Sequence, residues 1–128
     1  MRTEYIDVDG RWGIILNFNF TEKDEEEMSA IMDSFGMARR NIERSMRILF
    51  THNSGMAVSR DDLRMSAIFI GEPTSRSQFW NSIAHELRHV STAIIDYYGE
   101  PYNGEPAAYL DGYLLQKVVE EIAEPCGE

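Results

Sequence analysis

At 128 residues the chain is one domain by length, and long enough to bury a core without disulfides or assembly. A hydrophobic share of 43% with 11% aromatics excludes a disordered chain, and a net charge of -10 opposes binding to nucleic acid over most of the surface. No apolar run is long enough to span a membrane, the N-terminus does not read as a secretory signal, and the single cysteine, Cys126, cannot close an internal disulfide, so a cytoplasmic location is the expectation.

In chain order, "RWGIILNFNF" alternates, with Trp12, Ile14, Leu16, Phe18 and Phe20 on one face. That pattern predicts a half-buried strand. Thr21 can cap a helix that opens on the acidic run "EKDEEE", which suits the positive end of a helix dipole. Met28, Ile31, Met32 and Phe35 form its apolar stripe, and Gly36 stops it. A second helix is predicted over about 37–51, with Ala38, Ile42, Met46 and Leu49 facing inward. Arg40, Arg44 and Arg47 line its other side; such a stripe reads first as a solvated face and second as a contact for an acidic partner.

A short strand over 55–59 turns at "SRDD" into a longer one over 63–71, whose "AIFIG" is apolar on both faces and belongs in a covered position. Ser75 and Gln78 have capping-box spacing, and Gly99 closes the helix they open, 76–98. Phe79, Ile83, Leu87, Val90, Ile94 and Tyr98 are its core stripe. A last helix begins at Glu105-Pro106 and runs to about Ala123. The fold class is α+β, a single domain over 1–128 with a small antiparallel or mixed sheet and about four helices against one face.

Chemistry concentrates in His85-Glu86-Leu87-Arg88-His89. With three histidines and fourteen glutamates in the chain, chance supplies on the order of 0.01 such matches, so coincidence is a poor explanation. Residues four apart on a helix share a face, so both imidazoles can approach one metal ion. Glu86 lies about 100° round the helix, where it reaches a water beside the ion better than the ion itself. The bland alternative is an exposed histidine pair flanked by surface charges.

A third ligand decides between these readings. No histidine follows His89, and Thr92 and Ile95 occupy the positions where a metzincin has glycine and histidine. His52 reads as a helix-terminal cation. Asp96 shares the face but lies roughly 10 Å beyond His89 along the axis, and Glu100 stands in a turn before Pro101. Glu105 heads a helix that must pack back on the HELRH helix, with the small residues Ala108 and Gly112 on its face to permit a close approach. Its plain alternative is an acid favoured by the helix dipole. Tyr109 shares that face.

Over residues 63–118 this pattern resembles the gluzincins, zinc peptidases with an H-E-x-x-H helix and a glutamate ligand on the next helix. The likeness is to small single-domain members found in phage and mobile elements, and more loosely to the ImmA/IrrE-like peptidases. The resemblance implies a zincin-like domain with Zn2+ on His85, His89 and Glu105, the metal-site half spanning about 63–123. It implies Glu86 as the general base that deprotonates a metal-activated water, a peptide or protein substrate, and "RMSAIFIG" as the strand that pairs with it. Tyr109 is the expected second electrophile for the oxyanion, with Tyr113 and Tyr98 behind it. The thermolysin-like aspartate four residues after the third ligand is replaced by Tyr109, which leaves Asp96 and Asp111 as candidates to orient a histidine. A non-catalytic zinc-binding accessory or assembly protein is the rival function.

Overall fold

In the computed structural model, which describes residues 1–52, 54–100 and 104–122, the chain opens on a strand that the sequence reading did not anticipate. β1 (Arg2–Val8) buries only Ile6 and Val8, too few to register as an alternating run. The turn after it carries the signal. Asp9 and Gly10 both adopt positive φ, 55° and 68°, and the Arg11 N–H donates to the Val8 carbonyl at 3.0 Å. Asp-Gly is a favoured pair for this tight hairpin turn. It feeds β2 (Trp12–Phe20), antiparallel to β1, with Val8 opposite Trp12 and Arg2 opposite Phe18.

Thr21 then caps a short 3-10 turn over Glu22–Asp24; its N–H donates to the Asp24 carboxylate at 2.9 Å, and its hydroxyl accepts from the Lys23 N–H. α1 (Glu25–Ser34) and α2 (Arg39–His52) follow, separated by Gly36 at φ 80°. β3 (Gly55–Arg60) and β4 (Met65–Gly71) form an antiparallel pair, α3 (Arg76–Tyr98) follows, and α4 (Glu105–Glu121) closes the described chain. The predicted end of the last helix near Ala123, and Cys126, lie outside the described residues.

The fold is α+β: four helices and a four-stranded mixed sheet in the order β1-β2-β4-β3. β2 and β4 are the parallel central pair. One face of the sheet, with Ile14, Leu16, Phe18, Ile68 and Ile70, packs against Phe79, Ile83, Leu87 and Val90 of α3 and Leu114 and Val118 of α4. The opposite face, with Ala67 and Phe69, packs against Met28 and Met32 of α1 and Ile42, Met46 and Leu49 of α2. The helices therefore cover both faces rather than the expected single face. β2 is not half-buried either: it has a strand on each side and a helix layer above and below. Asn17, on the face opposite the apolar stripe, is fully buried; it donates to the Ile68 carbonyl at 3.1 Å and accepts from the Thr3 hydroxyl at 2.9 Å.

Phe20 departs from the predicted alternation. Asn19 takes φ 60°, and the register with β4 shifts between Phe18 and Phe20. An extra residue in a strand reverses the side on which the following side chains emerge. Phe20 accordingly joins the α1–α2 cluster and packs edge-on against Phe50 at 5.6 Å. No helix among the described residues is long and apolar enough to cross a membrane.

Candidate metal centre

α3 presents the central residues, and caps at both ends set its bounds. Ser75, in extended conformation, accepts the Gln78 N–H on its hydroxyl at 3.0 Å. The Gln78 side chain answers one residue earlier than a standard capping box, accepting from the Thr74 N–H at 3.2 Å. Gly99 ends the helix at φ 75°, a left-handed conformation that suits glycine. Between these caps, the predicted stripe Phe79, Ile83, Leu87, Val90 and Ile94 is buried against the sheet, while Tyr98, at its end, is exposed.

His85 and His89 stand on the outer flank of α3, one turn apart. Both are exposed, and their rings meet edge-on with centroids 5.2 Å apart. Glu86 is different: only 5% of it reaches solvent. The plain reading that makes Glu86 a surface charge does not describe this side chain. Burial pushes its carboxyl above the usual carboxylate range, and charge on His85 and His89 pulls it back down. Among the described residues it accepts no hydrogen bond. His85, Glu86 and His89 each offer one ligand atom, and these atoms lie within 4.8 Å of one another. Two imidazoles and a carboxylate form a donor set that suits zinc and neighbouring divalent metals.

The three side chains open into a groove of about 510 Å³ between α3 and β3. Its strand wall is Gly55, Met56, Ala57 and Ser59, and its helix wall continues through Thr92 and Ala93 to Asp96. Asp96 thus lines the groove, about 15 Å along the helix axis from Glu86. The strand at this groove is not the one expected. β4 ("RMSAIFIG") has both edges taken, by β2 and β3, so it cannot pair with a further strand. β3 is the edge strand. The sequence offered one sign of its role: a glycine inside a strand marks a close backbone approach, and a Cβ built on Gly55 would lie 2.7 Å from Glu86 Oε2.

α4 presents a different face from the one predicted. Ala107, Leu114 and Val118 are buried, whereas Glu105, Ala108, Tyr109 and Gly112 are exposed, Tyr109 at 73%. A Cβ on Gly112 would meet nothing within 4 Å, so the small residues are not a point of close helix contact. The physical reason is tertiary: Leu114 and Val118 complete the core built by the sheet and α3, a partner that only the packed fold offers them. Glu105 and Tyr109 stand outside the His85–Glu86–His89 group and do not line its groove.

Asp111 turns toward α3 and is spoken for. It accepts from Arg88 Nη1 at 2.7 Å and from the buried Ser91 hydroxyl. It is therefore a cross-brace between helices rather than a support for a histidine. Tyr113 and Tyr98 reach the β1–β2 turn instead of the groove. The Tyr113 hydroxyl donates to Asp9 at 2.7 Å, which holds its phenol above the ordinary range, and the Tyr98 hydroxyl donates to the Arg11 carbonyl at 3.4 Å. His52 is the exposed last residue of α2, and Arg40, Arg44 and Arg47 are all exposed on that helix.

No protein-family model, curated protein or solved structure matches the chain. The site's own geometry is what a functional reading rests on.

Proposed function

We propose that the protein is a zinc-dependent metallopeptidase of zincin-like architecture, hydrolysing peptide bonds with Glu86 as general base. One observation carries this reading. Glu86, a residue only 5% exposed whose carboxylate accepts no hydrogen bond among the described residues, lines a groove with two exposed histidines, bordered by an edge strand. An acid largely withdrawn from water, its proton affinity raised by burial, and opening into a groove beside two imidazoles is the kind of group that persists where chemistry uses it.

His85 and His89 would hold the metal, with Glu105 as the third ligand by resemblance to gluzincins. The bound metal supplies a Lewis acid that makes water acidic enough to attack near neutral pH. Glu86, its proton affinity raised by burial, takes the proton from the attacking water and returns it to the leaving amine. The outer edge of β3 offers N–H and C=O groups to an extended peptide, in the manner of strand addition. Tyr109 is the proposed oxyanion donor, brought to the groove only with movement of α4, because it is exposed and outside the groove here.

A second reading has its own support. Because Glu86 itself offers a ligand atom within 4.8 Å of those of His85 and His89, it could be a ligand, and the site a non-catalytic one in an accessory or assembly protein. Glu86→Gln separates the two. In the peptidase, the variant keeps zinc in equilibrium dialysis and loses at least 100-fold in hydrolysis of a quenched-fluorescence peptide library, the scale of a missing general base. If it loses zinc as well, Glu86 is a ligand and the second reading stands. A wild type that binds no zinc ends both.

A further inference from the structure

We infer that Gly55 is a positioning residue for Glu86: the missing side chain at the start of β3 is the space in which the glutamate carboxylate lies. This rests on the peptidase reading for its catalytic consequence, though not for its structural one. Gly55 pairs with Ile70 in the ordinary antiparallel register and is not in the left-handed region of φ, so its backbone would accept any L-residue. The need for glycine comes from elsewhere. A Cβ built on it would stand 2.7 Å from Glu86 Oε2 and 3.3 Å from both Cδ and Cγ. Real Cβ atoms do not make contacts of 2.7 Å, so one partner must yield.

The two partners are unequal. Gly55 is held in the β3–β4 ladder, with Ala57 opposite Ile68 and Ser59 opposite Ser66 fixing the same register. Glu86 ends in freely rotating bonds, and among the described residues no hydrogen bond anchors it. An added methyl group therefore moves the carboxylate and leaves the strand in place. The fold absorbs such a change cheaply. The chemistry does not, because a base displaced by about 1 Å loses up to ~100-fold in rate. The same edge strand that offers its outer side to a substrate thus sets, through an absent side chain, where the base can stand.

The test is a pair of double-variant cycles. Zinc-loaded wild type, Gly55→Ala, Glu86→Asp and the double variant are compared for kcat and KM on a quenched-fluorescence peptide and for zinc affinity by chelator competition. Gly55→Ala is expected to lower kcat roughly 10- to 100-fold with KM and zinc affinity held. In the Glu86→Asp background, where the acid is one methylene shorter, the same change is expected to cost less than threefold. Metal-free thermal unfolding supplies a readout independent of activity: Gly55→Ala should lower Tm by about 1–4 °C in wild type and leave it level or raised in Glu86→Ala. Equal effects of Gly55→Ala in the two Tm backgrounds, or an equal loss of kcat with either acid, would overturn the assignment. If wild type hydrolyses no peptide, the peptidase reading falls and the unfolding cycle still decides the placement of Glu86.

Discussion

Glu86 is the residue at which sequence and structure together say most. HELRH identified it as a candidate base by spacing; only the fold showed that it is buried and opens into a groove beside Gly55. Burial raises its carboxyl pKa in the folded state above the value an unfolded chain would show. The sign of the linkage follows. A raised acid binds its proton more tightly when folded, so its favourable contribution is present at low pH and is lost as pH rises through the folded value. At neutral pH the buried charge therefore opposes folding. Metal-free Glu86→Gln is expected to be more stable than wild type at pH 7.5, by roughly 1 kcal/mol or a few degrees in Tm, with the gap closing toward pH 4. Thermal scans of both proteins in chelator across that range check it; a gap that is constant or widens in acid contradicts the burial argument.

At the scale of elements, α3 is placed by its caps and tied to α4 by a polar brace. Ser75→Ala removes the hydroxyl that accepts the Gln78 N–H and is expected to cost about 1 kcal/mol in urea unfolding, with zinc affinity unchanged. Asp111 faces a sharper test. Its pairing with Arg88 is half-exposed and worth little by itself. Its bond from Ser91 is different, because Ser91 is fully buried and its other partner is the Arg88 carbonyl. Asp111→Ala should lower stability by about 1–2 kcal/mol yet leave zinc binding unaltered. A tenfold loss of zinc affinity would instead make Asp111 a support for a metal histidine, the role first considered for it. β3 shows why element identity was easier to read than element neighbourhood. Its residues Gly55–Ser59 were legible as a short strand, but nothing in them says that it shares a groove with α3.

For the whole molecule, metal and fold should be coupled. A ligand that binds only the native state stabilises it by mass action, by about 2.7 kcal/mol at a hundredfold excess over Kd. Saturating zinc is expected to raise the wild-type Tm by several degrees, and both His85→Ala and His89→Ala should abolish the rise. Glu105→Gln belongs to the same experiment. If it reduces the zinc-induced shift as the histidine variants do, Glu105 completes the site through a rearrangement of the first turn of α4; an unchanged shift removes it from the ligand set. The sheet itself is protected by its helix layers, since α1–α2 and α3–α4 cover opposite faces and leave β1 and β3 as the two edges.

Local signals decided a good deal of this protein. Period-two and period-3.6 patterns placed β2, β4 and all four helices within a few residues, because each element carries an apolar face of its own. The same was true of the HELRH helix, whose motif depends on positions one turn apart and needs no distant contact. Three features lay beyond that reach. β1 depends on a hairpin partner for most of its burial. The two-sided covering of the sheet depends on which way each helix pair crosses it. The face of α4 depends on whether Ala107 and Leu114 or Ala108 and Gly112 turn inward. These are choices between packings of nearly equal local propensity, so long-range contact settled them, and the position of Glu105 and Tyr109 went with the last. The sequence by itself determined which residues could do chemistry; the tertiary structure decided that Glu86 is buried beside Gly55 and that β3, not β4, borders the groove.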